Sequence, residues 1–431
     1  MKLYSTSHNS PEIPLRDAIF TGVAPDKGLY MPRFIPRLKP DLIKKLRGLP
    51  FQEIASTVAT LLLEDEIPPA KLKHIVYEAF NFDVSLQPLG EFFALELFHG
   101  PTLAFKDFGA RFLAQLTKYY TPGHYKQVIL VATSGDTGSA VASAFHNIPG
   151  IHVVLLYPKD KISRFQEKQL TCWGKNITPI AIEGTFDDCQ TFVKTAFSDS
   201  ELALSINLSS ANSINIARLL GQIFYYFFAY TRLPDTASPI VISVPSGNLG
   251  NLTAGIIAKR MGLPISNFIA STNVNDAFSR YLQTGVTRPL ATISTLSNSM
   301  DVGNPSNLAR IQELYNHKLQ KIRQDIETYS FTDRQTLIEI SSTYKDSGYI
   351  LDPHSAIGLL GLKAYSKHHR LANGIFLATA HPVKFKEAIE QVINSDLEPP
   401  PELSSLFQLS SSIHLKPSYK LFKRLLLERF V

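Results

Sequence analysis

The sequence predicts an α/β fold built on parallel sheets, behind a mainly helical N-terminal region, and two observations carry that prediction. From about residue 86 onward short β-rich runs alternate with helical stretches, and polar turns containing glycine stand where the runs end. Such alternation marks βαβ units and parallel sheets, whose ligands bind beyond the carboxyl ends of the strands. Before that point, residues 1–85 are rich in proline and in short helical patterns such as FQEIASTVATLLLEDE, with no strand running into a glycine-rich turn.

The runs follow in order. VILVA at 128–132 leads into TSGDTG and the helical SAVASAFHN, and VVLLY at 153–157 is followed by PKDKISRFQEKQLT. The apolar LLGQIFYYFFAY at 219–230 is interrupted by Gln222 and preceded by Arg218, too short for a bilayer span and suited to a buried helix. IVISV at 240–244 meets PSGNLGN before the helical LTAGIIAKRMG, and IFLAT at 375–379 precedes AHPVKFKEAIEQVI. Near the C-terminus, LKPSYKLFKRLLLERF has apolar residues at helical spacing, the pattern of a packed helix.

A chain of 431 residues, 44% hydrophobic and 19% charged, can bury sizeable cores and divide into domains. Its 43 basic and 37 acidic residues, net +6, are interspersed, and the lack of a basic block argues against a nucleic-acid partner. MKLYSTSHNS holds no apolar h-region, so no secretory signal is expected and the cytoplasm is the expected location. Cys172 and Cys189 stand in no metal-ligand spacing, no metal is expected, and neither HExxH, GxSxG nor a P-loop occurs.

Four stretches carry chemistry, and each has a plainer reading beside it. HGPTLAFKDF at 99–108 sets Lys106 among phenylalanines, where an ammonium costs free energy unless it is paired or neutralised; alternatively its stem lies along apolar surface with the head in water. In PSGNLGN, Gly247 and Gly250 let the backbone turn and approach a ligand, and the following helix offers unpaired N–H groups; a plain glycine turn is the alternative. Three or four charge-assisted N–H bonds there, at roughly 1.5–3 kcal/mol each, would hold a phosphate without lysine or arginine. TSGDTG at 133–138 offers hydroxyls and successive N–H groups to a carboxylate, or caps its own helix through Ser134, Asp136 or Thr137. SANSINIAR at 210–218 puts Asn212, Ser213, Asn215 and Arg218 ahead of the apolar helix, where a guanidinium needs an anionic ligand, an Asp or Glu partner, or a route to solvent. Together, a lysine in an aromatic setting, an anion cradle and a carboxylate grip are the parts of a pyridoxal phosphate site. In such a site a lysine amine kept neutral by an apolar pocket forms a Schiff base with the cofactor.

The segments GLYMPRFIP, ELFHGPTLAFKDFGARFLA, ATSGDTGSA, FDDCQ, SANSINIAR, VPSGNLGN, AGIIAKRMGLPI, TNVND, SNSMDVGNPSN, LDPHSAIG and ATAHPVKF, in this order, resemble those of the threonine synthase family. The resemblance is to its longer type with an N-terminal extension, within the tryptophan-synthase-β-like class, and it covers nearly the whole chain. GPTLAFKD and SANSIN together are specific to the family, whereas single motifs are shared with related dehydratases and synthases.

The resemblance implies pyridoxal phosphate fold type II with two parallel-type α/β domains. The expected divisions are a mainly helical region at 1–85, a large cofactor-binding domain at 86–129 and 206–431, and a small mobile domain at 130–205. It implies pyridoxal 5'-phosphate on Lys106, its phosphate at Gly247, Asn248, Leu249, Gly250 and Asn251, and Thr379 facing the pyridine nitrogen. Leu249 stands where phenylalanine is common in related members, and Asn251 where aspartate is common. The implied reaction takes O-phospho-L-homoserine and water to L-threonine and phosphate. Thr133, Ser134, Asp136 and Thr137 match positions about the substrate carboxylate, and Asn212, Ser213 and Arg218 match positions on the substrate phosphate. A small-molecule substrate, no nucleic acid, no membrane, and a monomer or homodimer complete the expectation. A related dehydratase or phospholyase releasing a 2-oxo acid is the rival enzyme. A non-catalytic basic protein, binding anionic surfaces through its C-terminal segment, is the rival from another class.

Overall fold

Residues 1–121, 126–234, 239–371, 373–401 and 411–431 are described by the computed structural model. The N-terminal region contains the helices Leu15–Thr21, Pro40–Lys45, Phe51–Leu63 and Pro69–Ala79. It also contains a small antiparallel sheet absent from the sequence expectation, in which β1 (Lys2–Ser5) lies between β2 (Ile13–Pro14) and β3 (Tyr30–Pro32). Strands of two to four residues are too short to show an alternating pattern.

The larger sheet begins with the antiparallel pair β4 (Ser85–Leu89) and β5 (Phe92–Glu96). The chain then passes through the helix Lys106–Tyr120 into a second sheet, formed by β6 (Gln127–Ala132), β7 (Ile151–Pro158), β8 (Ile177–Ile182) and β9 (Leu208–Ser210). After the helix Ile216–Arg232 it returns to the larger sheet as β10 (Ile240–Pro245), β11 (Ile265–Thr272), β12 (Ile326–Ser330) and β13 (Asn373–Ala378). The larger sheet runs β12-β11-β10-β13-β5-β4 and is parallel except at β4. The smaller, with β14 (Ile413–Leu415) at one edge, runs β14-β8-β7-β6-β9 and is parallel throughout. Strands such as β6 and β10, buried along their whole length, are what a sheet covered on both faces requires.

The divisions expected at 130 and 205 differ from this arrangement. β6 starts at Gln127, β9 pairs with it through Val128↔Leu208, and β14 pairs with β8 through Ile413↔Ile180. The physical reason is edge pairing: β9 and β14 satisfy the N–H and C=O rows that β6 and β8 would otherwise present. The helix Tyr419–Phe430 is packed, with Phe422 and Leu426 fully buried and Phe422 stacked on Phe192. Its Lys423 pairs with Asp199 and Glu201 at 2.8 and 2.7 Å, against the reading of this segment as a free basic contact surface.

The helix Ile216–Arg232 is buried on every side except at Arg232 and lies against the helices Lys106–Tyr120 and Gly250–Arg260. Gly221 permits the first approach, because a Cβ there would stand 2.8 Å from both Phe108 O and Phe112 Cβ. Rings of Phe51, Phe80, Phe108, Phe112 and Phe224 pack edge-on or stacked around that junction. The start of Lys106–Tyr120 is therefore anchored in the main core. Among the described residues, no helix is long and apolar enough to cross a membrane, and no group of three or more His, Cys, Asp or Glu side chains could hold a metal ion.

Candidate active site

Lys106 is the first residue of its helix, and the chain on both sides sets its position. Leu103 takes a left-handed φ of 57°, Phe105 donates its N–H to Thr379 O at 2.8 Å, and buried Asp107 accepts from the Thr102 N–H and hydroxyl at 2.9 and 2.8 Å. Lys106 Nζ lies 3.4 Å from Asp136 Oδ2 and 5.7 Å from the centre of the Phe105 ring. Only 13% of its side chain is exposed, so the head does not reach out into bulk water. Burial is the main cause that lowers its pKa; Asp136 opposes this, and Lys384 and Arg218 lower it further. The neutral amine, which can act as nucleophile or base, is thereby favoured over that of an exposed lysine.

Asp136 opens the helix Asp136–Phe145 at the carboxyl end of β6. Its Oδ1 takes Lys384 Nζ at 2.9 Å and Gln166 Nε2 at 3.0 Å, and its Oδ2 takes the Ser299 hydroxyl at 3.0 Å beside Lys106. Burial by itself would raise this carboxyl, but Lys384, Lys106 and His354 hold it well below the usual carboxylate range. With its charge balanced by two lysines, Asp136 can offer a substrate carboxylate only its backbone N–H. Lys384 is wholly buried and also donates to Thr102 O at 2.8 Å and Gln169 Oε1 at 2.9 Å. Sequence reasoning missed it, because the partners that make its burial possible, Asp136, Thr102 and Gln169, lie far along the chain.

Within the turn after β6, Thr133 Oγ1 accepts the N–H groups of Gly135 and Gly138 at 3.0 and 2.8 Å. Gly135 takes a φ of 122°, and Gln166 packs where its Cβ would stand. No side chain caps the helix, so capping by Ser134, Asp136 or Thr137 does not occur; the half-buried Ser134 and Thr137 hydroxyls make no hydrogen bond among the described residues. Thr133→Ala would leave two buried N–H groups unpaired, and urea unfolding is expected to show a loss of about 1–3 kcal/mol. Thr133→Ser, which keeps the acceptor, should recover most of it.

The turn after β10 differs from expectation in one respect: neither glycine takes a positive φ, and the left-handed conformation falls on Leu249 at φ 60°, just before the helix Gly250–Arg260. For a non-glycine residue this costs on the order of 1–3 kcal/mol and persists only where the surroundings enforce it. Gly247 is required by packing, since a Cβ would stand 2.8 Å from Met300 Cα, whereas Gly250 faces space flanked by Ser213 and Asn307, each 3.6 Å from a built Cβ. Asn248 fastens the turn: its Nδ2 donates to Ser213 Oγ at 2.6 Å, its Oδ1 accepts from Ser306 N–H at 2.6 Å, and its carbonyl accepts from Asn307 Nδ2 at 2.9 Å. Asn251 turns inward, with Nδ2 on Pro245 O at 2.9 Å and Oδ1 taking the Leu252 N–H at 2.9 Å. An aspartate there would have no donor for Pro245 O. The N–H groups of Gly247, Asn248, Leu249 and Gly250 make no hydrogen bond among the described residues.

Beside this turn, Asn212 donates its Nδ2 to Ala132 O at 3.2 Å, leaving Oδ1 without a partner. Arg218, 2% exposed, donates NH1 to Ala211 O at 2.7 Å and leaves Nε unpartnered. Burial brings its guanidinium down to about 10 against the pull of Asp107, and it has no Asp or Glu ion pair among the described residues. Thr379 follows β13 and donates its N–H to Ser355 Oγ at 3.3 Å. The neighbouring His354 is held through Nδ1 by Asp352 at 2.8 Å. Its Nε2 and Asn298 Oδ1 are again buried without partners. Buried polar atoms are ordinarily satisfied, so these orphans, the idle N–H groups at a helix start and the buried amine together fit an anionic, hydrogen-bonding ligand that reacts with a lysine.

A family model described as pyridoxal-phosphate dependent enzyme matches residues 83–379, and models described as threonine synthase N terminus and threonine synthase C-terminal match residues 2–80 and 355–424. A threonine synthase of Haemophilus influenzae is 46% identical over 411 residues, 95% of each chain. The crystal structure of threonine synthase from Escherichia coli is similar with a TM-score of 0.93 at 41% identity, over 99% of this chain and 100% of that one. The pyridoxal-phosphate-bound threonine synthase from Brucella melitensis gives 0.92 at 35% identity, over 100% and 99%.

Proposed function

The chain belongs to the threonine synthase family of pyridoxal-phosphate-dependent enzymes, and from that premise we infer that it converts O-phospho-L-homoserine and water to L-threonine and phosphate. Its fold is pyridoxal phosphate fold type II. The observation that carries the reading is Lys106, a buried amine against Asp136, whose partner Ser299 also lies against Gly247 in the turn whose N–H groups are idle.

Lys106 would carry pyridoxal phosphate, with the N–H groups of Gly247, Asn248, Leu249 and Gly250 on its phosphate, Asn251 fixing the turn, and Thr379 at the pyridine nitrogen. When bound, this group supplies an electrophilic carbon for the substrate amine and an electron sink for charge developing at Cα. Thr379 offers that nitrogen a hydroxyl instead of a carboxylate, giving little reason for it to stay protonated, a choice that favours prompt elimination over transamination. Lys106 Nζ, favoured as the neutral amine, would take the proton from Cα, give it up, and then take one from Cβ as phosphate leaves Cγ; Cγ is reprotonated, water adds its hydroxyl at Cβ, and a proton returns to Cα. The helix start at Asp136, with the Ser134 and Thr137 hydroxyls, receives the substrate carboxylate, and Thr133 holds that turn in shape. Asn212, Ser213 and Arg218 receive the substrate phosphate. Polar contacts of Gln169 with Lys384 and Thr102, and of Gln166 with Asn298, join the smaller unit to the larger. Motion of this smaller unit would make and break these contacts, closing the site against stray water.

Two measurements test the assignment. Phosphohomoserine turnover should yield threonine and phosphate in equal amounts, and 2-oxobutanoate as the main product would instead identify a related elimination enzyme. Arg218→Ala is expected to lower kcat/KM roughly 10- to 100-fold, the worth of a charged hydrogen bond, with partial recovery by lysine. An equal loss toward serine or allylglycine, with a lowered Tm, would make Arg218 a structural residue.

A further inference from the structure

Arg310 is fully buried and is the largest such side chain among the described residues. Among the described residues it forms no ion pair, and each acceptor it reaches is neutral. Nε and NH2 donate to Tyr30 O at 3.2 and 3.1 Å, NH2 also to Ile214 O at 2.7 Å, and NH1 to Ser213 O at 3.1 Å and Asn307 Oδ1 at 2.7 Å. Burial brings the guanidinium down to about 9. A cation taken out of water against dipoles alone is unfavourable unless an anion lies near.

Its acceptors form the back of both segments read above as phosphate-binding. Ser213 and Ile214 belong to the loop after β9, and Asn307 passes the contact on, donating Nδ2 to Asn248 O at 2.9 Å in the turn after β10. Ser213 Oγ closes the circuit by accepting from Asn248 Nδ2 at 2.6 Å. We propose that Arg310 is a positioning residue for phosphate binding: it locks the 212–214 loop and the 247–250 turn in one register, and its charge is balanced by the phosphates those segments hold. This rests on the phosphate assignments of the preceding subsection. It also gives the N-terminal region a part in the site, since Tyr30 of β3 anchors the far side of the guanidinium.

The test uses cofactor-free enzyme titrated with pyridoxal phosphate and, separately, with pyridoxal, which lacks the phosphate. Arg310→Met should raise the Kd for pyridoxal phosphate roughly 10- to 100-fold, as expected for loss of a charge-dependent hydrogen-bond network, and change that for pyridoxal by less than about twofold. Arg310→Lys should fall between, because a point charge cannot reproduce the planar fork. Equal weakening of both ligands, or of neither, would reduce Arg310 to structural cement and overturn the proposal. Should Arg310→Met fail to fold, Asn307→Leu cuts the link to Asn248 while leaving the guanidinium its carbonyl acceptors. It should show the same phosphate-selective loss, and an unchanged pyridoxal phosphate Kd would overturn the proposal. Gly250→Val separates the two levels: it adds bulk between Ser213 and Asn307, where the cofactor phosphate is assigned. If it leaves pyridoxal phosphate binding intact, the phosphate assignment itself fails; if it weakens binding but Arg310→Met does not, only the role of Arg310 falls.

Discussion

Lys106→Ala is expected to reduce threonine formation to background. The substitution removes both the amine that would carry the cofactor and the base that moves protons at Cα and Cβ. Positioned proton transfer alone contributes typically 10²- to 10⁴-fold, and loss of the covalent route adds to that, so a fall of at least about four decades in kcat is anticipated. The N–H groups of the 247–250 turn are untouched, so pyridoxal phosphate should still bind, by its phosphate, and remain exchangeable on dialysis. Borohydride treatment of the wild type followed by peptide mapping should place the label on Lys106, and the variant should take up none. A label on another lysine would move the cofactor site elsewhere.

Lys384→Met is expected to destabilise the fold by about 3–5 kcal/mol, the range for breaking one side of a buried ion pair, read as a lower urea midpoint at unchanged slope. The variant leaves Lys106, at 3.4 Å, as the one ion-pair partner of Asp136 among the described residues, and leaves Thr102 O and Gln169 Oε1 without the donor they share. Adding Asp136→Asn should restore part of the loss, because the uncompensated charge goes with it, and a double-mutant cycle would measure the coupling. The pH dependence has a definite sign. Asp136 is held below an ordinary aspartate, so its contribution is present above its unfolded value near 4 and is lost as the pH falls toward the folded one. The double variant should therefore show a flatter acid limb than the wild type. Because Lys384 also lowers the pKa of Lys106, the single variant should need a higher pH for half-maximal activity. If stability, acid limb and activity profile all match the wild type, the pair contributes nothing.

How far the sequence was legible follows from the range of the forces involved. Runs such as VILVA, IVISV and IFLAT became strands because their own side chains demand burial, and the turns after the first two were visible through glycine. Lys106 stood out because its sequence neighbours are aromatic. Arg310 and Lys384 did not, because what makes them unusual comes from residues far along the chain: Tyr30 and Ser213 for the arginine, Asp136 and Thr102 for the lysine. The same reason hid β9 and β14, whose three residues each carry no pattern of their own and are strands only through pairing. In the turn after β10 the glycines were seen, but the residue forced to a positive φ was Leu249, a choice made by packing, which local conformational preference does not reveal.

The pairing of β14 on β8 has a consequence for how the protein must be made. The smaller sheet is assembled from residues 127–210 and then completed by residues 413–415, with the helix Tyr419–Phe430 over its face. During vectorial synthesis β8 leaves the ribosome some 230 residues before its partner (413 − 182 = 231), roughly 12–50 seconds earlier at common elongation rates. For that interval its edge is an open template for any other extended chain. Early folding in this enzyme is thus a race between intramolecular completion and self-association. A nascent chain stalled before residue 413 is expected to be the aggregation-prone species, and pelleting of stalled-chain lysates on either side of that codon would register the change.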